Sequence, residues 1–260
     1  MIGKAWSIPV VVSEHLSTLA AEKLNWFEKF KARTVARGAG ALLPVNQVLS
    51  DALTRLGGRD ITIVHNVVNI DAQGVAQEHE HPVGALAMTS KSAVKRLDIL
   101  IEAANAVSRV RTDFQLTVVG VTTEDFGPKQ ALARELEADG TVRFLGRIPK
   151  EEVLVLLRSC DFLVHPTEFE TFGLATYEAI FCGKPVVTTD IEPFEALADA
   201  NVGIFVEPGN QQAFTEGIIR MLDEHHKYDP AGYARANAWR YSHEAVGEAL
   251  DGVYWRVVGG

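Results

Sequence analysis

Two glutamates, Glu170 and Glu178, stand eight positions apart in the stretch DFLVHPTEFETFGLATYEAIFCGKPVVTTD, residues 161–190. A carboxylate accepts hydrogen bonds and donates none, which suits it to the hydroxyls of a sugar or a ribose. Between them Gly173 opens a helical pattern, and Glu178 falls a little over one turn inside it. N–H groups at a helix start have no intrahelical acceptor, and glycine lets a ligand approach closely, so this backbone suits a phosphate. On residue type alone, the preferred reading of the pair is a solvated loop carboxylate and an ordinary helix residue.

The elements that must position these residues are legible in the apolar pattern. Strand-like runs rich in Val, Leu, Ile and Phe occupy 83–87, 114–119, 142–146, 161–165, 185–189 and 203–206. Such runs suit parallel strands buried on both faces. Helical stretches lie between them, including 94–107, 173–182 and 211–222, with 242–256 after the last strand. Strands separated by helices predict an α/β fold with a Rossmann-like, doubly wound parallel sheet. In such sheets ligands bind beyond the carboxyl ends of the strands, where Glu170 and the helix start fall. The first 75 residues hold fewer elements: a strand at Ile8–Ser13, a helix at 16–35, a strand at Ala41–Val45, a helix at 47–56 and a strand at Ile61–Val64. Residues 71–82 are polar, end in proline and read as a linker.

The chain has 260 residues, 47 % of them apolar, and a formal charge of −9. The composition allows a sizeable core, and an acidic chain lacks the basic footprint of a nucleic-acid binder. Cys160 and Cys182 lie in apolar runs and read as packing residues in a reducing compartment. The histidines His79, His81, His225 and His226 lack the companions of a zinc site, and no D-x-D motif is present, so no metal is expected. No apolar run reaches the ~20 residues of a membrane span. The expectation is a cytoplasmic chain, with peripheral contact at the inner membrane face left open. Residues 19–37 are basic and carry Trp26, Phe27 and Phe30. That stretch reads either as an interfacial helix touching anionic lipid or a lipid-linked acceptor or, preferred on sequence, as a helix packing its aromatics inside the first domain.

Glu170-Thr-Phe-Gly-Leu-Ala-Thr-Tyr-Glu178 resembles the E-x7-E signature of retaining glycosyltransferases with two Rossmann-like domains, the GT-B fold, in particular glycosyltransferase family 4. The surroundings are similar too: His165-Pro166-Thr167 before the first glutamate, Glu178-Ala-Ile-Phe-Cys-Gly-Lys-Pro-Val-Val187, and Gly203-Ile-Phe-Val-Glu-Pro-Gly-Asn210. Ile63–Asn69 resembles the family's domain boundary, Phe144-Leu-Gly146 one of its strands, and Tyr241–Tyr254 its final helix, which crosses back to the first domain. The resemblance therefore implies three parts: 1–75, a remnant of the acceptor-side first domain; 76–240, a nucleotide-sugar-binding domain; and 241–260, the terminal helix. About the first hundred residues of the family's first domain are expected to lie outside this sequence. Residues 1–75 are then expected to show an unpaired sheet edge or an apolar face.

The resemblance also implies roles. Glu170 contacts the donor sugar and Glu178 the ribose of the nucleotide. Lys95 matches the family lysine on the donor diphosphate, and the backbone of Phe172, Gly173 and Leu174 faces the phosphates. His15 matches a histidine near the reacting sugar. Ser90 stands where the family usually has an arginine, and Lys91 or Arg96 supplies the charge instead. The implied donor is a UDP- or GDP-linked sugar, used without metal or other cofactor, and the implied activity is that of a retaining hexosyltransferase. Two alternatives stand beside it. One is a non-catalytic or half enzyme that needs a separate protein or an oligomer to complete its first domain. The other is an epimerase or phosphorylase on a related architecture.

Overall fold

The computed structural model of the chain describes residues 8–15, 19, 24–68 and 84–259. Their packing divides them into two compact units. One contains the described residues up to Val68, Glu170–Phe172 and the chain from Trp239 onward. The other contains Gly84–Phe169 and Gly173–Ala238. The expected linker at 71–82 lies outside the described residues, as do His79 and His81.

The larger unit is built on six strands: β3 (Gly84–Met88), β4 (Gln115–Val119), β5 (Val142–Gly146), β6 (Phe162–His165), β7 (Val186–Thr189) and β8 (Gly203–Val206). All pairings are parallel, in the spatial order β5-β4-β3-β6-β7-β8. The apolar runs locate each strand to within one residue. Alternate strand residues Ala85, Ala87, Leu116, Val118, Phe162, Val164 and Val187 face one core cluster. That cluster is closed by helices α3 (Leu97–Ser108), α4 (Gln130–Ala138) and α7 (Gln211–Glu224). Leu86, Leu163 and Val186, at the intervening positions, are buried as well. Helices α5 (Lys150–Ser159) and α6 (Leu174–Phe181) pack against strands of the same sheet, and α8 (Pro230–Asn237) against α6. Burial of both faces of β3, β6 and β7 explains why these central strands read as continuous apolar runs.

One expected helix is broken. In place of a continuous 94–107 helix there is a short turn at Ala93–Lys95, then α3. Arg96 between them adopts a left-handed backbone, φ 47°. Its guanidinium donates to both carboxylate oxygens of Asp98, at 2.9 and 2.7 Å, which repays part of that strain.

The smaller unit has two parallel strands, β1 (Val11–Glu14) and β2 (Ala41–Pro44), with α1 (Trp26–Gly38), α2 (Gln47–Arg55) and the last helix, α9 (His243–Gly259). Of the expected helix over 16–35, residues 16–18 and 20–23 lie outside the described residues, Leu19 is helical, and 26–35 falls in α1, whose start is set by Asn25. Asn25 is extended (φ −70°, ψ 172°), accepts from the N–H groups of Phe27 and Glu28, and donates its own N–H to Glu28. This capping box fixes the first turn of α1. The expected strand Ile61–Val64 is reduced to one bridge, Ile61 to Leu42. Thr62 and Val64 donate to the carbonyls of Leu42 and Pro44, but Pro44 has no N–H to return, so the ladder stops. Ala41, Leu43, Val64, Val246 and Val253 form this unit's core.

Of thirteen exposed large apolar side chains among the described residues, ten belong to the smaller unit, and β1 pairs only with β2. Six of the ten, Ile8, Val10, Trp26, Phe27, Phe30 and Val35, lie within residues 1–75, and the other four on the terminal segment.

Both cysteines are buried and unbridged. Burial pushes the Cys160 thiol up to about 12 and that of Cys182 in the same direction. Because the thiolate is the reactive form, a disulfide reagent should titrate almost no thiol in the native chain and both after denaturation. Rapid reaction of either in the native protein would contradict this packing.

Candidate active site

Within the larger unit, β3, β4 and β5 step one way across the sheet and β6, β7 and β8 the other. The order reverses between β3 and β6, and a crevice for ligands opens beyond their carboxyl ends. Two segments leave the sheet there: Thr89–Lys95 from β3 and Pro166–Phe169 from β6.

Several hydrogen bonds tie these segments together. The Val94 carbonyl accepts from the Thr167 hydroxyl at 3.1 Å and the Glu168 N–H at 2.7 Å. From β7, Thr188 and Thr189 donate to the carbonyls of His165 and Thr167, at 3.0 and 2.5 Å. On this base Lys95 Nζ lies 3.5 Å from His165 Nε2. The other ring nitrogen, Nδ1, lies 3.1 Å from the Thr176 hydroxyl, in the first turn of α6. An ammonium has only protons to offer, so Nε2 accepts and Nδ1 carries the proton. His165 and Thr176 are buried. The chain Lys95–His165–Thr176 thus holds a cation beside the start of α6.

Gly173 precedes that helix in a left-handed conformation, φ 82°. A Cβ built there would stand 2.3 Å from Cε1 of Phe194, which is fully buried. The expected reason for this glycine, close approach of a ligand, is joined by a packing reason. Gly173→Ala should cost on the order of 1–3 kcal/mol from the backbone alone, with the Phe194 clash in addition. Chemical denaturation would show a lowered midpoint, and an unchanged midpoint would contradict the packing.

Glu178 follows in α6, almost buried, and its carboxylate accepts from Lys150 Nζ. Lys150 is the first residue of α5 and lies just past the carboxyl end of β5. Sequence reasoning did not single it out. A signal was present: a lysine where the chain passes from a strand end to the next helix, four residues after β5, as Lys95 stands seven residues after β3.

The other sequence-identified positions divide clearly. Ser90 and Lys91 follow β3 and are exposed. Lys91 pairs with Asp125 at 3.0 Å. The Thr122 N–H and, second, the Lys91 ammonium hold the Asp125 carboxyl below its ordinary range. Arg96, the other candidate replacement for an arginine at 90, is committed to Asp98 and Glu168. Its bond to Asp98 raises the guanidinium further above its ordinary range. Lys91, on the surface, is held only weakly and is the easier of the two to re-aim.

Glu170 and Phe172 are grouped with the smaller unit. Phe172 is buried there, with ring centroids 6.3 Å from His65 and 5.9 Å from Tyr241. The adjacent Thr171 carbonyl accepts from Asn46 Nδ2 at 2.5 Å, while Asn46 Oδ1 caps α2. Phe172 is therefore an anchor, and Gly173 and Leu174 form the helix start. His15, just after β1, lies 2.8 Å from the Ser13 hydroxyl. Among the described residues no group of three or more His, Cys, Asp or Glu could hold a metal ion.

Comparison with known proteins gives this geometry its family. The family model for glycosyl transferases group 1 matches residues 78–237. The chain is 34 % identical over 127 residues to the D-inositol 3-phosphate glycosyltransferase of Corynebacterium urealyticum, covering 48 % of this chain and 30 % of that protein. It is 25 % identical over 248 residues to the glycogen synthase of Mycobacterium tuberculosis, covering 90 % and 58 %. The chain thus spans only part of these relatives. The crystal structure of Anabaena HepE in complex with UDP and glucose superposes with a TM-score of 0.79 at 21 % identity, covering 97 % of this chain and 73 % of that one. That likeness extends the shared fold beyond the matched segment. The chain belongs to the glycosyl transferases group 1 family.

Proposed function

We propose that the chain carries the donor site of a retaining glycosyltransferase that moves a sugar from a nucleoside diphosphate to an acceptor hydroxyl. The observation that carries this reading is the Lys95–His165–Thr176 chain, which sets an ammonium beside a helix N-terminus at the sheet's switch point. Cation and helix dipole act on one spot and favour a diphosphate. The solved structure of HepE with UDP and glucose supports the same ligand class.

In this reading the bond between the anomeric carbon and the diphosphate oxygen breaks, and its electron pair leaves with the diphosphate. Lys95 and the N–H groups at the start of α6 stabilise that charge. The acceptor oxygen bonds to the anomeric carbon on the same face, and its proton passes to the departing diphosphate. Glu178 accepts from the ribose hydroxyls and Glu170 from the sugar, with His15 on the acceptor side. UDP- and GDP-sugars are the donors to try first. The test is release of nucleoside diphosphate with analysis of the product's anomeric configuration. An inverted product would remove the retaining mechanism. Full turnover by the Glu170→Ala/Glu178→Ala double variant would remove the site.

A second reading, a nucleotide-sugar-binding subunit completed by another protein, draws on the smaller unit. The outer edge of β1 is unpaired among the described residues, and Ile8, Val10, Trp255 and Val258 are exposed. Binding of UDP without turnover, with activity restored by an added protein, would favour it over the first.

A further inference from the structure

Helix α1 is built the wrong way round for a globular chain. Its only buried residue is Ala36. Phe27, Phe30, Lys31 and Thr34 recur at helical spacing along one stripe, and all four are exposed. Trp26 is 80 % exposed, Phe30 61 % and Phe27 49 %. The aromatics expected to pack inside the first domain are exposed on the chain as it is described.

The charges on this helix are equally one-sided. Lys29, Lys31, Arg33 and Arg37 stand against Glu28 alone. Residues 24–68 hold six Lys and Arg against three carboxylates, in a chain whose formal charge is −9. Lys31 Nζ lies 4.3 Å from the centroid of the Phe27 ring, a cation beside an exposed aromatic. On the flank of α1, Lys29, Arg33 and Arg55 line a pocket of about 200 Å³ together with Leu24, Ala52 and Leu56. Three cations over an apolar floor suit an anionic head group attached to a hydrocarbon chain.

We propose that α1 docks the chain on an anionic lipid surface, with Trp26, Phe27 and Phe30 in the interface and the cations at head-group level. Charge complementarity selects this occupant. Two copies meeting through the same helix in a symmetric pair would bring like cations together. A neutral apolar partner leaves the cations unexplained. No helix among the described residues is long and apolar enough to cross a membrane, and α1 would lie in the plane of the interface.

The test uses the full chain and vesicles of phosphatidylcholine, with or without about 30 % phosphatidylglycerol. Flotation should show binding that is at least about tenfold stronger to the anionic vesicles and lost at roughly 0.5 M salt. Lys31→Glu/Arg37→Glu should weaken it by at least about tenfold, as should Trp26→Ser/Phe30→Ser. All four residues are exposed, so circular dichroism and the thermal midpoint should match the parent chain. Absence of binding to anionic vesicles, equal binding to neutral ones, or variants that bind like the parent would overturn the proposal. So would a dimer lost in Trp26→Ser/Phe30→Ser without vesicle binding. None of these readouts depends on sugar transfer.

Discussion

Replacing Lys95 with alanine should lower kcat/KM for the sugar nucleotide by about 10²–10³-fold, the loss expected when one fixed donor to a developing anion is removed. The loss should fall mainly on kcat, because diphosphate charge grows as the glycosyl bond breaks. Lys95 is half-buried and is not part of the core, so the variant should fold normally. Lys95→Arg should not restore the rate. A planar guanidinium is larger than an ammonium and presents its protons in a fork, whereas His165 offers one acceptor at 3.5 Å. Steady-state kinetics with the matching donor and acceptor check this. A Lys95→Ala enzyme with parental kcat/KM would remove Lys95 from the chemistry and leave it a surface residue.

Replacing Glu178 with alanine should weaken nucleotide binding by about 10- to 150-fold, the equivalent of one hydrogen bond involving a charged group. The carboxylate is nearly buried and held by Lys150 on one side. In the proposed site its remaining lone pairs face the ribose. Stability should change by less than about 1 kcal/mol for loss of the ion pair, because Lys150 is half exposed and the pair is screened. Lys150→Met separates the roles. If Lys150 acts only by orienting Glu178, it should weaken binding less than Glu178→Ala, and the double variant should equal Glu178→Ala. Calorimetric titration with UDP and GDP, beside thermal melts, reads both quantities. Unaltered nucleotide affinity in Glu178→Ala would exclude the assigned contact.

The same positions show how far the sequence reaches. The central strands β3, β6 and β7 were legible because they are buried on both faces, which requires an unbroken apolar run, while the edge strands β5 and β8 are only partly buried. Gly183 and Pro185 marked the end of α6 correctly, since Gly183 takes a left-handed turn, φ 76°. The break at Arg96 was not legible. Its left-handed backbone is held in part by Glu168, seventy-two residues away. The strand at Ile61–Val64 failed for a reason visible only once β2 became its neighbour, because the missing N–H belongs to Pro44.

What the sequence determined by itself is the six strands of the larger sheet, the family pattern around Glu170 and Glu178, and the chemistry those residue types permit. Local spacing carries that information, since periodicity and turn residues act over a few positions. The tertiary structure decided the partners: Lys150 for Glu178, His165 for Lys95, Phe194 for Gly173. It also turned Trp26, Phe27 and Phe30 outward, a fact that periodicity cannot carry. A helical stripe records which side chains share a face, but whether that face meets a core or water depends on what the rest of the chain packs against it.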